Sequence, residues 1–251
     1  MVESAYEERY CGFADILGFT DLIGDIRAGK EKFEAVRNLL EQIHSPRDSQ
    51  VVGVGEADFQ AQSISDAIVL STRLTVSGLG IITEAFERLV LNALHEGYLT
   101  RGAICRGLLY HDKQTVFGEA LIRAYNLESK VAKYPRIMLT KQVHDDAEAS
   151  NLAHYFKNHI QQADDGPFFL DVFRHLKDRL EIAKKQLVDN RPHPMLFRFA
   201  TIRDKIQERF DNSVDTPTHF EKVQWLANYW NITFRNEADP SFHGITGPGL
   251  F

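Results

Sequence analysis

Apolar and polar positions switch between two periods along the chain, and the switches outline its elements. Cys11 to Leu17 is a short, nearly unbroken apolar run that ends at Gly18, the pattern of a buried strand entering a tight junction. Thr20-Asp21 then caps a helical pattern that continues, interrupted near Gly29, to about His44. Beyond the turn-rich Ser45 to Asp48, the segments Ala57 to Ser63 and Ala67 to Ser71 predict two strands joined tightly at Ser65-Asp66. Leu79, Ile82, Phe86, Val90 and Leu94 recur at helical spacing, with Gly97 as a stop signal. Arg101 to Tyr110 reads as a strand, turning around His111-Asp112 and returning through Thr115-Val116-Phe117. Gly118 opens a helix to about Lys133, and Pro135 precedes a last strand, Arg136 to Leu139. The order βα-ββ-α-ββ-αβ predicts an α/β (α+β) fold, a ferredoxin-like sandwich with helices on one face of a largely antiparallel sheet.

Past Asp165 the period becomes purely helical. Phe173, Leu176, Leu180, Ala183 and Leu187 form one stripe and Met195, Phe199, Ile202, Ile206 and Phe210 another. Thr216-Pro217 opens a third helix, a capping residue followed by proline at the first helical position, and the loop Asn190 to Pro194 lies between the first two. The expected division is a first domain over residues 1–165 and a helical C-terminal extension over 166–251 packed on it.

Composition narrows the function classes. An apolar fraction of 43% and a charged fraction of 25% are those of an ordinary soluble globular protein. A formal net charge of −6 leaves no electrostatic footprint for nucleic acid or an anionic membrane. No run is long enough to span a bilayer, and Glu3, Glu7 and Glu8 oppose a signal-peptide start, so a cytoplasmic location is expected. Cys11 and Cys105 lie in apolar strand-like segments without CxxC spacing, which predicts buried reduced thiols. The ten histidines are scattered and read as surface or satisfied core residues.

Two carboxylates stand out against this background. Asp15 and Asp66 each sit in an apolar, β-prone run, where an ionised group is costly unless a cation or hydrogen bonds compensate it. A lone aspartate at a strand end is commonly only a cap or turn former. Two on adjacent central strands would reach one Mg²⁺ or Mn²⁺, hard cations that prefer carboxylate and phosphate oxygens. Leu17-Gly18-Phe19-Thr20 would meanwhile offer backbone N–H groups at a helix N-terminus, suited to phosphate. Metal beside phosphate implies nucleotide chemistry.

Phe13-Ala14-Asp15-Ile16-Leu17-Gly18-Phe19, Ser65-Asp66, Arg101-Gly102-Ala103-Ile104 with Gly107, and Phe117-Gly118 through Ala124-Tyr125-Asn126-Leu127-Glu128 together resemble the class III nucleotidyl cyclases. More closely, they look like the bacterial Pycsar pyrimidine cyclases, whose anti-phage role is making cyclic UMP or cyclic CMP. The match is collinear over roughly residues 8–140. The resemblance implies a cyclase sandwich and a head-to-tail homodimer with active sites at the shared interface. It implies two Mn²⁺ or Mg²⁺ ions per site, held by Asp15, Asp66 and the Ile16 carbonyl. It also implies a UTP or CTP substrate, and a product sensed by a separate cyclic-nucleotide-binding effector.

Departures from the family pattern bear on the substrate. ATP-using members place a base-reading lysine four residues before the second metal aspartate, where this chain has Gln62; a second base-reading position maps to Thr115. Gln62 presents both a donor and an acceptor, as a pyrimidine edge requires, whereas lysine only donates. The expected product is therefore cyclic UMP, with cyclic CMP as the alternative. The family's helical asparagine and arginine fall at Ile122 and Asn126, so Arg123 and Asn126, three apart on one helical face, are the candidate substitutes. No lysine precedes Gly166-Pro167, where many members hold a phosphate-binding one; Arg101 and Arg106 are the candidate replacements. A catalytically silent, nucleotide-binding dimer is the other reading.

Overall fold

The sheet is built around strand β1, Glu7–Leu17, because its two sets of alternate side chains are both covered. Such a strand reads as a continuous apolar run rather than as an alternation. A computed structural model describes residues 6–27, 29, 33–44, 58–186 and 193–250. The expected turn at Ser45 to Asp48 and most of the loop Asn190 to Pro194 lie outside the described residues. β1 pairs antiparallel with β3, Ala67–Arg73, on one side and with β4, Leu99–His111, on the other. β2, Gln60–Ile64, forms a hairpin with β3, and β5, Val116–Phe117, folds back on β4. β6, Ile137–Leu139, runs parallel to β4, and β7, Ile160–Gln162, and β8, Phe168–Leu170, complete the order β2-β3-β1-β4-β6-β8-β7.

After β1 come helices α1, Phe19–Arg27, and α2, Phe33–Glu41, the expected helical pattern broken around Gly29. Helix α3, Val76–His95, is capped by the Thr75 side chain and lies on one face of the sheet, against Tyr10, Ala14, Ile16, Ile68 and Leu70. Its Phe86 occupies the space over Gly12, where a Cβ would collide with the ring. Helix α4, Glu119–Lys130, lies on the opposite face, where its Ala120 and Ala124 allow close approach to Cys11, Val69, Cys105 and Leu109. This corrects the expectation of helices on one face only: the parallel β4–β6 connection carries α4 across the other side. Cys11 and Cys105 are buried free thiols, as expected.

Two short helices, α5, Lys141–Ala149, and α6, Ala153–Phe156, follow β6. The sheet then runs on to Leu170, so the boundary expected at residue 165 falls inside the β7–β8 hairpin. Helices α7, Val172–Gln186, α8, Pro194–Asp211, and α9, Pro217–Phe234, bury Phe173, Phe199, Phe210 and Trp230 in the same apolar cluster as the buried side of α3. Among the described residues no helix is long and apolar enough to cross a membrane.

Candidate active site

The end of β1 and the β2–β3 tip form one corner. Ile64 and Ala67 close a two-residue hairpin whose first loop residue, Ser65, has a φ of 61°. The β1–β3 pairing ends at Ala14 opposite Ile68, so the chain between Ile64 and Ala67 brings Asp66 alongside the end of β1. Gly18, with a φ of 79°, lets β1 pass directly into α1. Asp15 and Asp66 are both half-buried, and their carboxyls are hydrogen-bonded to each other. The pair expected from sequence is thus assembled.

Its electrostatics are those of a site short of positive charge. Burial first, then the hydrogen bond to Asp66 and its charge, then Glu128, raise the Asp15 carboxyl to about 7; Arg101 acts the other way. Asp15 stands opposite Arg101 in the β1–β4 ladder. Arg101 is ion-paired to the buried Glu128 of α4, and its Nη1 donates to the Ala132 carbonyl at 3.3 Å. Arg106 donates to Asp146 Oδ1 at 2.6 Å. Both arginines are thus engaged in ion pairs. Asp165, just before Gly166, accepts from Arg136 Nη1 at 2.8 Å.

The same face of the sheet continues into an open groove. Phe13 pairs with Val69 and Val69 with Gln62, so the three side chains form a row across β1, β3 and β2. Asp15 is two residues along from Phe13, hence on that face. With Val116, Ile122 and Tyr125 this row lines a groove of about 380 Å³, in which Phe13 and Tyr125 meet edge to face at 5.4 Å. Gln62 also borders a neighbouring cavity of about 590 Å³ with Lys113 and Gln114.

The other expected residues fall into distinct places. Thr115 is exposed in the β4–β5 turn, its N–H donating to Asp112 Oδ1 at 2.7 Å, and it does not line the groove; Val116 does. Arg123 is exposed with its Nη1 3.4 Å from Gln142 Oε1 of α5, and Asn126 is half-buried on α4. The Ile16 side chain is buried in the core, so only its main chain can serve the site. In the segment Leu17 to Thr20, Gly18 and Thr20 are exposed, while Phe19 turns into an apolar cavity with Ile23, Val36 and Leu40.

Sequence reasoning missed the Arg101–Glu128 pair beneath Asp15, although both residues lie in the quoted motifs. It also missed a buried Glu87–His159–His175 cluster, whose members are 72 and 88 residues apart.

The carboxyl pair suits a divalent cation: burial and the neighbouring Asp66 raise the Asp15 carboxyl, and a hard dication would relieve that penalty.

No family model and no curated protein matches the chain. Among solved structures it is similar to a bacterial light-regulated adenylyl cyclase, at 16% identity and a TM-score of 0.42, covering 73% of this chain and 59% of that one. It is also similar to a class III adenylyl cyclase-like ATP-binding protein from Pseudomonas aeruginosa, at 16% identity and a TM-score of 0.35, covering 56% of this chain and 34% of that one. The chain spans less than two thirds of the length of either structure.

Proposed function

We propose that the protein is a divalent-metal-dependent nucleotidyl cyclase of the pyrimidine type, converting UTP into 3′,5′-cyclic UMP and pyrophosphate. The observation that carries the reading is the contact between the Asp15 and Asp66 carboxyls, beside Ala67 of an apolar groove that Gln62 also lines. Asp15 and Asp66, with the Ile16 carbonyl, would hold Mn²⁺ or Mg²⁺. When bound, such ions neutralise triphosphate charge and acidify the ribose 3′-hydroxyl. In the reaction the 3′-oxygen loses its proton and bonds the α-phosphorus, the bond to the β-phosphate bridging oxygen breaks, and pyrophosphate leaves.

The chain's own residues do the positioning. Gln62 reads the base edge, with Thr115 offered from the turn that carries Lys113 and Gln114 beside it. The Leu17 to Thr20 junction offers backbone N–H groups to phosphate. Arg123 and Asn126 stand in for the transition-state pair, Arg123 being exposed on α4. The site is completed across a homodimer, and the product acts as a second messenger in anti-phage defence through a separate effector.

One observation favours a second reading. Arg101 and Arg106 are both committed to ion pairs, which leaves the phosphate without the replacements considered for it. A cyclase-like dimer that binds nucleotide without turnover would need none. Incubation with each of the four nucleoside triphosphates and Mn²⁺, with products identified by mass spectrometry, separates the readings. Cyclic UMP as the main product is expected; nucleotide binding without any cyclic product supports the silent dimer.

A further inference from the structure

Besides the Asp15–Asp66 pair, the described residues hold a cluster of mixed ligand type: Glu87 on α3, His159 just before β7, and His175 on α7. One ligand atom from each lies within 4.8 Å of the other two. Glu87 Oε1 accepts from His159 Nδ1 at 2.8 Å and Oε2 from His175 Nδ1 at 2.7 Å. The two imidazoles are tilted by 39° to each other with centroids 3.5 Å apart. The side chains of His159 and Glu87 are only 2% and 4% exposed, and that of His175 is 12% exposed.

We propose that Glu87, His159 and His175 form a transition-metal site, of the chemistry that takes Zn²⁺, distinct from the Asp15–Asp66 pair. The inference does not rest on the cyclase reading. Each oxygen of the buried carboxylate faces an imidazole nitrogen, so one cation placed among the three side chains would meet one negative oxygen ligand and two nitrogen ligands. Imidazole nitrogens with one carboxylate favour Zn²⁺ over Mg²⁺, which prefers an all-oxygen shell. Ligands about 2.0–2.2 Å from a tetrahedral ion stand roughly 3.4 Å from one another. The present nitrogen–oxygen separations are therefore short by about 0.6 Å, a shift small side-chain rotations supply. His175 is the most exposed of the three, so entry and a fourth, water-filled position lie on its side.

The three ligands come from separate parts of the fold. An ion there would bind α7, the first C-terminal helix, to α3 beneath the sheet. The ring of Tyr155 lies 3.9 Å from that of His159, and its hydroxyl donates to Glu84 at 2.7 Å, which backs one ligand with a second contact to α3.

The test uses the full chain carrying Asp15→Asn and Asp66→Asn, stripped with a chelator and titrated with Co²⁺ and then Zn²⁺. We expect one equivalent of Co²⁺ with a visible absorption band of low-coordinate nitrogen–oxygen ligation, displacement by Zn²⁺, and a higher melting temperature with Zn²⁺. His175→Gln and Glu87→Gln should each weaken binding at least tenfold. Imidazole resonances of two of the ten histidines should shift with Zn²⁺ in the double-aspartate variant itself, a readout that needs no further substitution to fold. Absence of a stoichiometric band, absence of those shifts, or binding that survives both substitutions overturns the site.

Discussion

The carboxyl of Asp15, near the end of the central strand, is hydrogen-bonded to that of Asp66 at a hairpin tip, and Glu128 adds its negative charge from helix α4. The pH dependence of the metal-free protein follows from this crowding. A carboxyl raised to about 7 when folded, against about 4 unfolded, binds more protons in the native state between those values. Stability should therefore fall as pH rises from about 4 to about 7. Urea unfolding in a chelator at pH 5 and pH 8 measures the slope; Asp15→Asn should flatten it, and Mn²⁺ should restore stability at pH 8 in the wild type only.

Activity should depend on the same pair. Asp15→Ala or Asp66→Ala should abolish cyclase activity, with cooperative unfolding retained because each change also removes the repulsion. Turnover assays at saturating Mn²⁺ check this. Full activity in either variant would overturn the two-metal assignment.

The ion pair beneath the site should matter for stability. Glu128 is buried, and its partner Arg101 is mostly so. Glu128→Ala leaves the Arg101 guanidinium without its buried partner and should cost about 3–5 kcal/mol, the scale for breaking a buried pair from one side. The double variant Arg101→Met, Glu128→Leu should recover most of that loss. Denaturant melts of the three variants measure both quantities.

The elements most legible in sequence were those with long or punctuated patterns. The Ser65-Asp66 tip was readable because two apolar strands flank it at hairpin spacing, and α3 because its apolar residues recur over 20 residues. Strands β7 and β8 were not, since each has three residues and neither length nor alternation marks so short a segment. The position of α4 was hidden for another reason. Its buried residues are small alanines and a paired glutamate, so the hydrophobic stripe that shows which face it covers is weak. The Asp15–Asp66 corner was legible as two isolated carboxylates, while the Arg101–Glu128 pair and the Glu87 cluster depend on long-range packing that no local pattern encodes.

The groove should be an interface. Ile64, Ile122 and Tyr125 are 72%, 63% and 50% exposed along its edge, a solvated apolar strip of the kind a second copy would cover. Sedimentation should give a dimer. Ile122→Asp should yield a folded monomer with little activity; a wild-type monomer with full turnover would refute the shared-site arrangement.

Base selection is the most specific expectation. Gln62 sits in the Phe13–Val69–Gln62 row, two residues along the sheet from the Asp15 position, so a nucleotide whose phosphates lie at the aspartates can lay its base against it. A glutamine amide can donate and accept at once, as a uracil or cytosine edge requires, whereas a lysine meets only acceptors. Sites built to hydrogen-bond a substrate reject mispaired analogues by up to about 10⁴-fold, because buried polar groups are left unsatisfied. The groove is open, so the discrimination expected is smaller, on the order of 10²-fold in kcat/KM for UTP over ATP. Gln62→Lys should lower UTP turnover at least about tenfold, corresponding to one lost hydrogen-bonding match of about 1.4 kcal/mol. Competition assays with mixed triphosphates measure both ratios. Faster conversion of ATP or GTP than of either pyrimidine triphosphate would overturn this account of the pocket, and a CTP preference would overturn only its uracil selectivity.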